Sequence, residues 1–258
     1  MAQPLSADQF LSVLKSSGVR VVTHGSWRTH NRDHKGPWGP VHGVMVHHTG
    51  PYATEAGMVD FCRTGYPDLP GPLCHGVVDR AGTVHLVGYG RTNHAGAGDG
   101  DVLAAVIAEK PLPPDNEADT DGNRHFYGFE CINTGGGQKW TDAQLKATHA
   151  VSAALCRAHG RSERSVIAHK EWQPGRPDPA GIDMADFRTG RSSPLVTAMG
   201  KRLVAGGCGR YRSGPSPRWT DADRCSYAAW QRKLGYSGAD ADGIPGPTSW
   251  AKLHVPQP

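Results

Sequence analysis

Val44-Met45-Val46-His47-His48-Thr49 is a short apolar run that ends on two imidazoles. A run of that length reads as a buried strand, and on a regular strand His47 and His48 face opposite sides of the sheet. The same pattern returns at Val166-Ile167-Ala168-His169, and Phe126 to Ile132 is a third strand that carries Glu130. Working outward, His75–Asp79 and Thr83–Val87 are joined by Arg80-Ala81-Gly82, a hairpin signature. Helical spacing places Phe10, Leu11 and Leu14 on one face, with Ser6 as cap and Gly18 as stop. Further helices are expected over Glu55–Arg63, from Thr141 (a capping box with Gln144) to His159 before Gly160, and from Ser193-Pro194 onward. Strands interleaved with helices make the first two hundred residues α/β.

The 258 residues suit one large domain or a medium one with a small companion. The formal net charge of +4 is mild and no basic stripe is present, so a nucleic-acid partner is not expected. No apolar stretch is long enough to span a membrane, and Met1–Phe10 lacks a secretory leader's basic start and long apolar run. The 34 Gly and 20 Pro follow no period, which excludes collagen and indicates a loop-rich globular chain. None of the six Cys forms a C-x-x-C pair, so a zinc knuckle or thioredoxin-like motif is excluded. Cys62, Cys74, Cys131 and Cys156 read as free buried thiols; Cys208 and Cys225 flank a short loop and could pair in an oxidising space. Residues 206–217 have linker composition. After them Tyr227, Trp230, Gln231 and Leu234 share a helical face, Asp242–Gly246 makes a turn, and Thr248–Leu253 is a last short helix. The expected organisation is a first domain over 1–205 with its core at 41–188, a linker over 206–217, and a small α-helical module over 218–258.

Fourteen histidines direct attention to metal chemistry. Hydrolytic zinc takes three protein ligands and leaves a position for water. His47 and His169 end two strands, and nine residues after His169 comes Asp178 in Gln173-Pro174-Gly175-Arg176-Pro177-Asp178-Pro179. The prolines and glycine bar a helix there, so the loop can fold back and bring Asp178 to the metal of His169. His48 is expected to be a satisfied core histidine, and His24, His30, His34 and His42 to be solvated imidazoles of a loose loop. His94 either lines the cleft and holds substrate or is a structural loop histidine. Glu171 and Asp183 compete as acid or ligand, with a helix cap suiting Asp183. Gly135-Gly136-Gly137 reads as a flexible turn, and Asp240-Ala241-Asp242-Gly243 resembles a calcium loop that lacks its distal Glu.

Taken together, Val44–Thr49, Gly128-Phe129-Glu130 and His169–Pro179 resemble the amidase-2 family of N-acetylmuramoyl-L-alanine amidases, which includes peptidoglycan recognition proteins and phage lytic amidases. His75–Val84 and Asn93-His94-Ala95-Gly96 are also similar to family segments. The resemblance implies a mixed central sheet flanked by helices, zinc held by His47, His169 and Asp178, and Glu130 as proton-transferring acid. Relatives carry a Lys shortly before the last ligand; the segment here is one residue shorter, and the resemblance assigns the oxyanion role to Arg176. Cys74 stands where some phage relatives have a catalytic Tyr, which leaves proton transfer to Glu130. Trp230–Gly235 with Ala241–Trp250 is similar to helical peptidoglycan-binding modules, with both Trp expected in its core.

The implied activity is zinc-dependent cleavage of the amide between N-acetylmuramic acid and L-alanine, lysing the wall, by a monomer whose partner is bacterial peptidoglycan. Without a leader, such an enzyme is expected to be made in a phage host's cytoplasm and released through a holin, or else to act extracellularly. Two alternatives remain open at this point: a recognition protein of the same fold that does not cut, and a zinc peptidase cutting within the stem peptide.

Overall fold

Six short strands pair into one sheet: β1 (Val21–Thr23), β2 (Gly43–His48), β3 (Gly76–Val78), β4 (Val84–Leu86), β5 (Phe126–Cys131) and β6 (Val166–Ala168). Their order is β1-β4-β3-β5-β2-β6. Only β3 and β4, the expected hairpin, run antiparallel; the other neighbours are parallel, so the sheet is mixed. The computed structural model describes residues 3–184, 194–216 and 219–256, and the chain divides into units over 1–184 and 185–258.

In the first unit the central strands are largely apolar up to their carboxyl ends because both faces of the sheet are covered. Val44, Met45, Val46, Phe126, Phe129 and Ile167 are buried. Helix α1 (Ala7–Ser16) starts at a Ser6–Gln9 capping box, buries Phe10 and Leu14, and packs on α4 (Asp142–Ala158). Helix α2 (Glu55–Thr64) packs Met58, Val59 and Cys62 against Val77 and Ile132. Helix α3 (Gly100–Ile107) seals the other cluster, with Val102, Leu103 and Val106 against Phe126, Ile167 and Trp172.

Three features depart from the sequence reading. β1 and α3 were not expected: β1 is three residues long, and α3 carries none of the acid–base spacing that marks an exposed helix. At α4, Thr141 caps the Gln144 N–H, but the Gln144 side chain donates to the carbonyls of Val78 and Ile132 and completes no capping box. The Pro-rich, acidic stretch between Lys110 and Arg124, whose composition alone reads as a solvated loop, is tied down. Asp99, 1% exposed, accepts the N–H groups of Asp101, Val102, Asn116 and Glu117, and Gly98 pairs with Thr120.

The second unit holds α5 (Pro194–Ala205), α6 (Asp221–Lys233) and α7 (Pro247–Leu253). Helix α5, assigned from sequence to the first domain, belongs here: Met199 and Leu203 share a core with Cys208, Tyr227 and Leu253. Residues expected to form a linker are likewise built in. Cys208 is buried, the Arg210 N–H meets Ser226 Oγ, and the Tyr211 hydroxyl donates to Asp223. Glycine and proline bar a helix there without detaching the chain from its surroundings. The expected cap Ser193, and Arg188 at the end of the expected core, lie outside the described residues. Cys208 and Cys225 are both free thiols, the second exposed. Trp230 and Trp250 pack against the core, as expected. The calcium-like turn is closed by protein, since Asp242 Oδ1 accepts from Gln231 Nε2 and the Ile244 N–H. Among the described residues no helix is long and apolar enough to cross a membrane.

Candidate metal centre and active site

Parallel β5, β2 and β6 finish at one edge of the sheet, and the register sets His47 beside Glu130. Open parallel sheets place their chemistry at this carboxyl edge. His169 follows β6 directly. The chain then turns back, and the Lys170 N–H donates to the Asp178 carbonyl at 2.7 Å, which closes the loop expected from its prolines. Three side chains converge as a result. His47 Nδ1, His169 Nδ1 and Asp178 Oδ2 form a triangle with every edge 3.1 Å. Among the described residues this is the one group of three that could hold a metal ion.

Hydrogen bonds behind the triangle decide what it presents. The Phe126 carbonyl, 3.1 Å from His94 Nε2, can only accept, so that nitrogen carries hydrogen. Burial, with the nearby imidazoles of His47 and His75, holds His94 well below the usual histidine range, so the ring is neutral and its Nδ1 is a bare acceptor. His47 Nε2, 3.0 Å away, is therefore a donor. Burial also lowers His47 to about 4, against the opposing pull of Asp178. Its Nδ1 thus faces the triangle as a lone pair. His169 Nε2 donates to Gln173 Oε1 at 3.1 Å, so the neutral ring presents Nδ1 to the triangle as a lone pair. Two nitrogen lone pairs and a carboxylate oxygen at 3.1 Å repel one another unless a cation lies between them. Tetrahedral zinc with bonds of about 2.0–2.1 Å would set such atoms roughly 3.3 Å apart, so the residues fit that ion.

Glu130 stands beside this set, its Oε1 4.0 Å from His47 Nδ1. Its Oε2 is buried and has no hydrogen-bond partner among the described residues. Burial, followed by the Asp178 charge, pushes the carboxyl up to about 8, while Arg176 pulls the other way. A carboxyl group in that range can hold or release a proton near neutral pH. Arg176 is exposed and its Nε donates to Gln173 Oε1 at 2.9 Å. Cys74 is fully buried, and burial together with Cys62 and Glu130 pushes its thiol up, so it is an inert neighbour rather than a substitute for a phenol.

His94, read from sequence as lining the cleft or as a loop histidine, is 8% exposed with both ring nitrogens used inside the protein. The structure gives it a place behind His47, where no nitrogen is left for a ligand. His48 turns away as expected and accepts the Ala180 N–H at 3.0 Å. His24 and His30 are half-buried, with His24 bonding His85 and His30 bonding the Val87 carbonyl. His42 is half-buried against His125, and His34 is exposed. Glu171 caps the Ala168 N–H. Gln173 and Asn123 were missed. Asn123 Oδ1 holds the N–H groups of His94 and Ala95, and nothing in its sequence surroundings marks it. Gln173 lies four residues after His169, a spacing that could have pointed to it.

Solved structures similar to the chain include the amidase LysC of Clostridium intestinale, with 15% identity and TM-score 0.44 over 65% of this chain and 94% of that one. An endolysin of a Thermus scotoductus bacteriophage gives 15% and 0.40 over 65% and 96%. The Drosophila peptidoglycan recognition protein SA gives 16% and 0.40 over 63% and 86%. A search of curated proteins finds no match. The family profile described as N-acetylmuramoyl-L-alanine amidase matches residues 37–181, more than half of the chain and the whole of the site just described. On that match the chain belongs to the N-acetylmuramoyl-L-alanine amidase family, Amidase_2.

Proposed function

We propose that this chain is a zinc-dependent enzyme that hydrolyses the amide between N-acetylmuramic acid and L-alanine in bacterial peptidoglycan. The observation that carries the reading is the triangle of His47, His169 and Asp178 acceptors with the unpartnered Glu130 Oε2 beside it. Zinc held there would act as a Lewis acid, polarising a carbonyl and acidifying water near neutral pH. A cation at the triangle also offsets the cost of ionising Glu130 in its buried position. The carboxylate can then take a proton from the attacking water and return it to the alanine nitrogen, which leaves as a free amine and departs poorly as an anion. Arg176 keeps a positive charge at the mouth of the site, where charge on the carbonyl oxygen develops.

The second unit, with its three helices and its Asp242–Gly246 turn, is proposed to bind the wall and keep the first unit near its substrate. A wall polymer as substrate places the action outside the cytoplasmic membrane, with lysis as the outcome. End-group analysis of digested wall tests the reaction. New L-alanine N-termini without new reducing sugars are expected from wild type, and none from Glu130→Gln. Termini elsewhere in the stem peptide would favour a peptidase, and an active Glu130→Gln would remove the assigned proton carrier.

A further inference from the structure

We propose that Gln173 is a positioning residue through which Arg176 sets the tautomer of His169, so that the outermost cation of the site controls whether the innermost ligand set is open to metal. The proposal rests on reading the triangle as a zinc site. It starts from an atom shared by two bonds: Gln173 Oε1 lies 2.9 Å from Arg176 Nε and 3.1 Å from His169 Nε2. A guanidinium N–H can only donate, so the amide atom it meets is the oxygen. That fixes the amide orientation, and the oxygen in turn requires hydrogen on His169 Nε2. The remaining lone pair, on Nδ1, points at His47 Nδ1 and Asp178 Oδ2.

The backbone keeps the three residues in reach of one another. The Gln173 N–H donates to the His169 carbonyl at 3.0 Å, and the Arg176 N–H to the Gln173 carbonyl at 3.2 Å.

The alternative state is equally well defined. With the amide turned over, its NH2 would donate to His169 Nε2, and the ring hydrogen would move to Nδ1. An Nδ1–H would then bond the Asp178 carboxylate directly, at the 3.1 Å already present between those atoms. That arrangement pairs His169 with Asp178 and closes the site to a cation. Arg176 opposes it, because the turned amide would set NH2 against a guanidinium N–H. Two residues outside the ligand set thus bias the centre toward its metal-accepting form.

Simple electrostatics makes the opposite prediction for Arg176, which gives the test its edge. Removing a positive charge near a cation site strengthens cation binding; removing the residue that orients Gln173 weakens it. Zinc affinity is measured by chelator competition on the full chain, and the His169 tautomer of the metal-free protein by long-range 1H–15N correlation. Gln173→Leu is expected to bind zinc about 10–100-fold more weakly, the usual size for loss of a ligand's outer partner. Arg176→Met is expected to shift in the same direction, and the double variant to lose no more than Gln173→Leu alone. Gln173→Glu, which still accepts from both neighbours, is expected to stay within about threefold of wild type.

The metal-free wild type should show hydrogen on His169 Nε2, and Gln173→Leu a move toward Nδ1. Zinc binding by Arg176→Met that equals or exceeds wild type overturns the proposal, as does a Gln173→Glu that fails as badly as Gln173→Leu. A wild type that binds no zinc at these residues defeats the zinc reading instead, while the tautomer measurement still decides the role of Gln173.

Discussion

Gly128 contacts no ligand atom, yet its replacement by alanine should dismantle the centre. A Cβ on Gly128 would lie 2.5 Å from both Cγ and Nδ1 of His94. Ordinary contact between carbon atoms is about 3.5–4.0 Å, so one of the two must give way by roughly 1 Å. The strand has little freedom to retreat, because the Gly128 N–H donates to His75 Nδ1 at 2.9 Å and the Gly128 carbonyl accepts the His75 N–H at 3.0 Å. The His94 ring therefore moves, and a shift of about 1 Å stretches its 3.0 Å bond from His47 Nε2 beyond hydrogen-bond range.

The cost has two parts. Overpacking contributes about 1–3 kcal/mol and the orphaned, buried N–H of His47 about 1–3 kcal/mol, for a loss in the range of roughly 2–6 kcal/mol. Released from its partner, His47 is also free to place hydrogen on Nδ1, so zinc affinity should fall by about 10–100-fold. Urea unfolding of the metal-free chain and chelator competition measure the two effects separately. A Gly128→Ala variant that keeps its unfolding free energy within about 0.5 kcal/mol of wild type and holds zinc as tightly would refute the argument.

Stripping zinc with a chelator should lower the thermal midpoint, and adding zinc back should restore it; at a hundredfold excess over Kd the ion contributes about 2.7 kcal/mol. A midpoint indifferent to chelator would show that the folded chain does not carry the ion. Acid should destabilise the metal-free fold through His75, which burial lowers to about 3 despite its bonds to Gly90 and Gly128. Its folded value lies below the unfolded 6.5, so the unfolded chain binds more protons between those limits. Stability is then complete above pH 6.5 and falls by up to about 1.4 kcal/mol for each pH unit below it, a slope that urea titrations at pH 7.5 and 5 would expose or exclude. Asp99→Ala should cost about 1–2 kcal/mol as a lost helix cap and speed hydrogen exchange at Asn116 and Glu117, while wall cleavage persists. Unchanged exchange there would mean that Asp99 does not tether the acidic segment.

The convergence of His47, His169 and Asp178 was legible because two of them end apolar runs, and a strand end at a parallel edge is where the backbone alone aims a side chain. Val44–His48 and Val166–His169 needed only alternation and length. Asp178 was legible from the prolines around it, which left the loop no helix to form. The supports behind the ligands were not. His94 reaches His47 across the fold, and its role depends on the Phe126 carbonyl far along the chain. Asn123 acts through one side-chain oxygen on two backbone N–H groups of a distant loop. Local pattern carries no trace of such pairs. The placement of α5 was not legible for a related reason: only the packing of Met199 and Leu203 with Tyr227 and Leu253 assigns it to the second unit.

The surroundings of Asp178 explain why its carboxylate is free for the centre. An aspartate in a loop ordinarily turns its oxygen onto a backbone N–H one or two residues ahead. Pro179 has no N–H to offer, and the next one, on Ala180, is already given to His48 Nδ1 at 3.0 Å. His48 can take it because its ring rests against Gly135, where a Cβ would come within 2.2 Å of His48 Nε2 and where the backbone φ of +70° also favours glycine. The second imidazole of the His-His pair thus serves the metal set without touching it. It occupies the local donor that would otherwise capture Asp178, and leaves that carboxylate turned toward His47 and His169. Sequence neighbours on opposite faces of one strand divide the work, His47 forming one corner of the triangle and His48 keeping Asp178 available to form another.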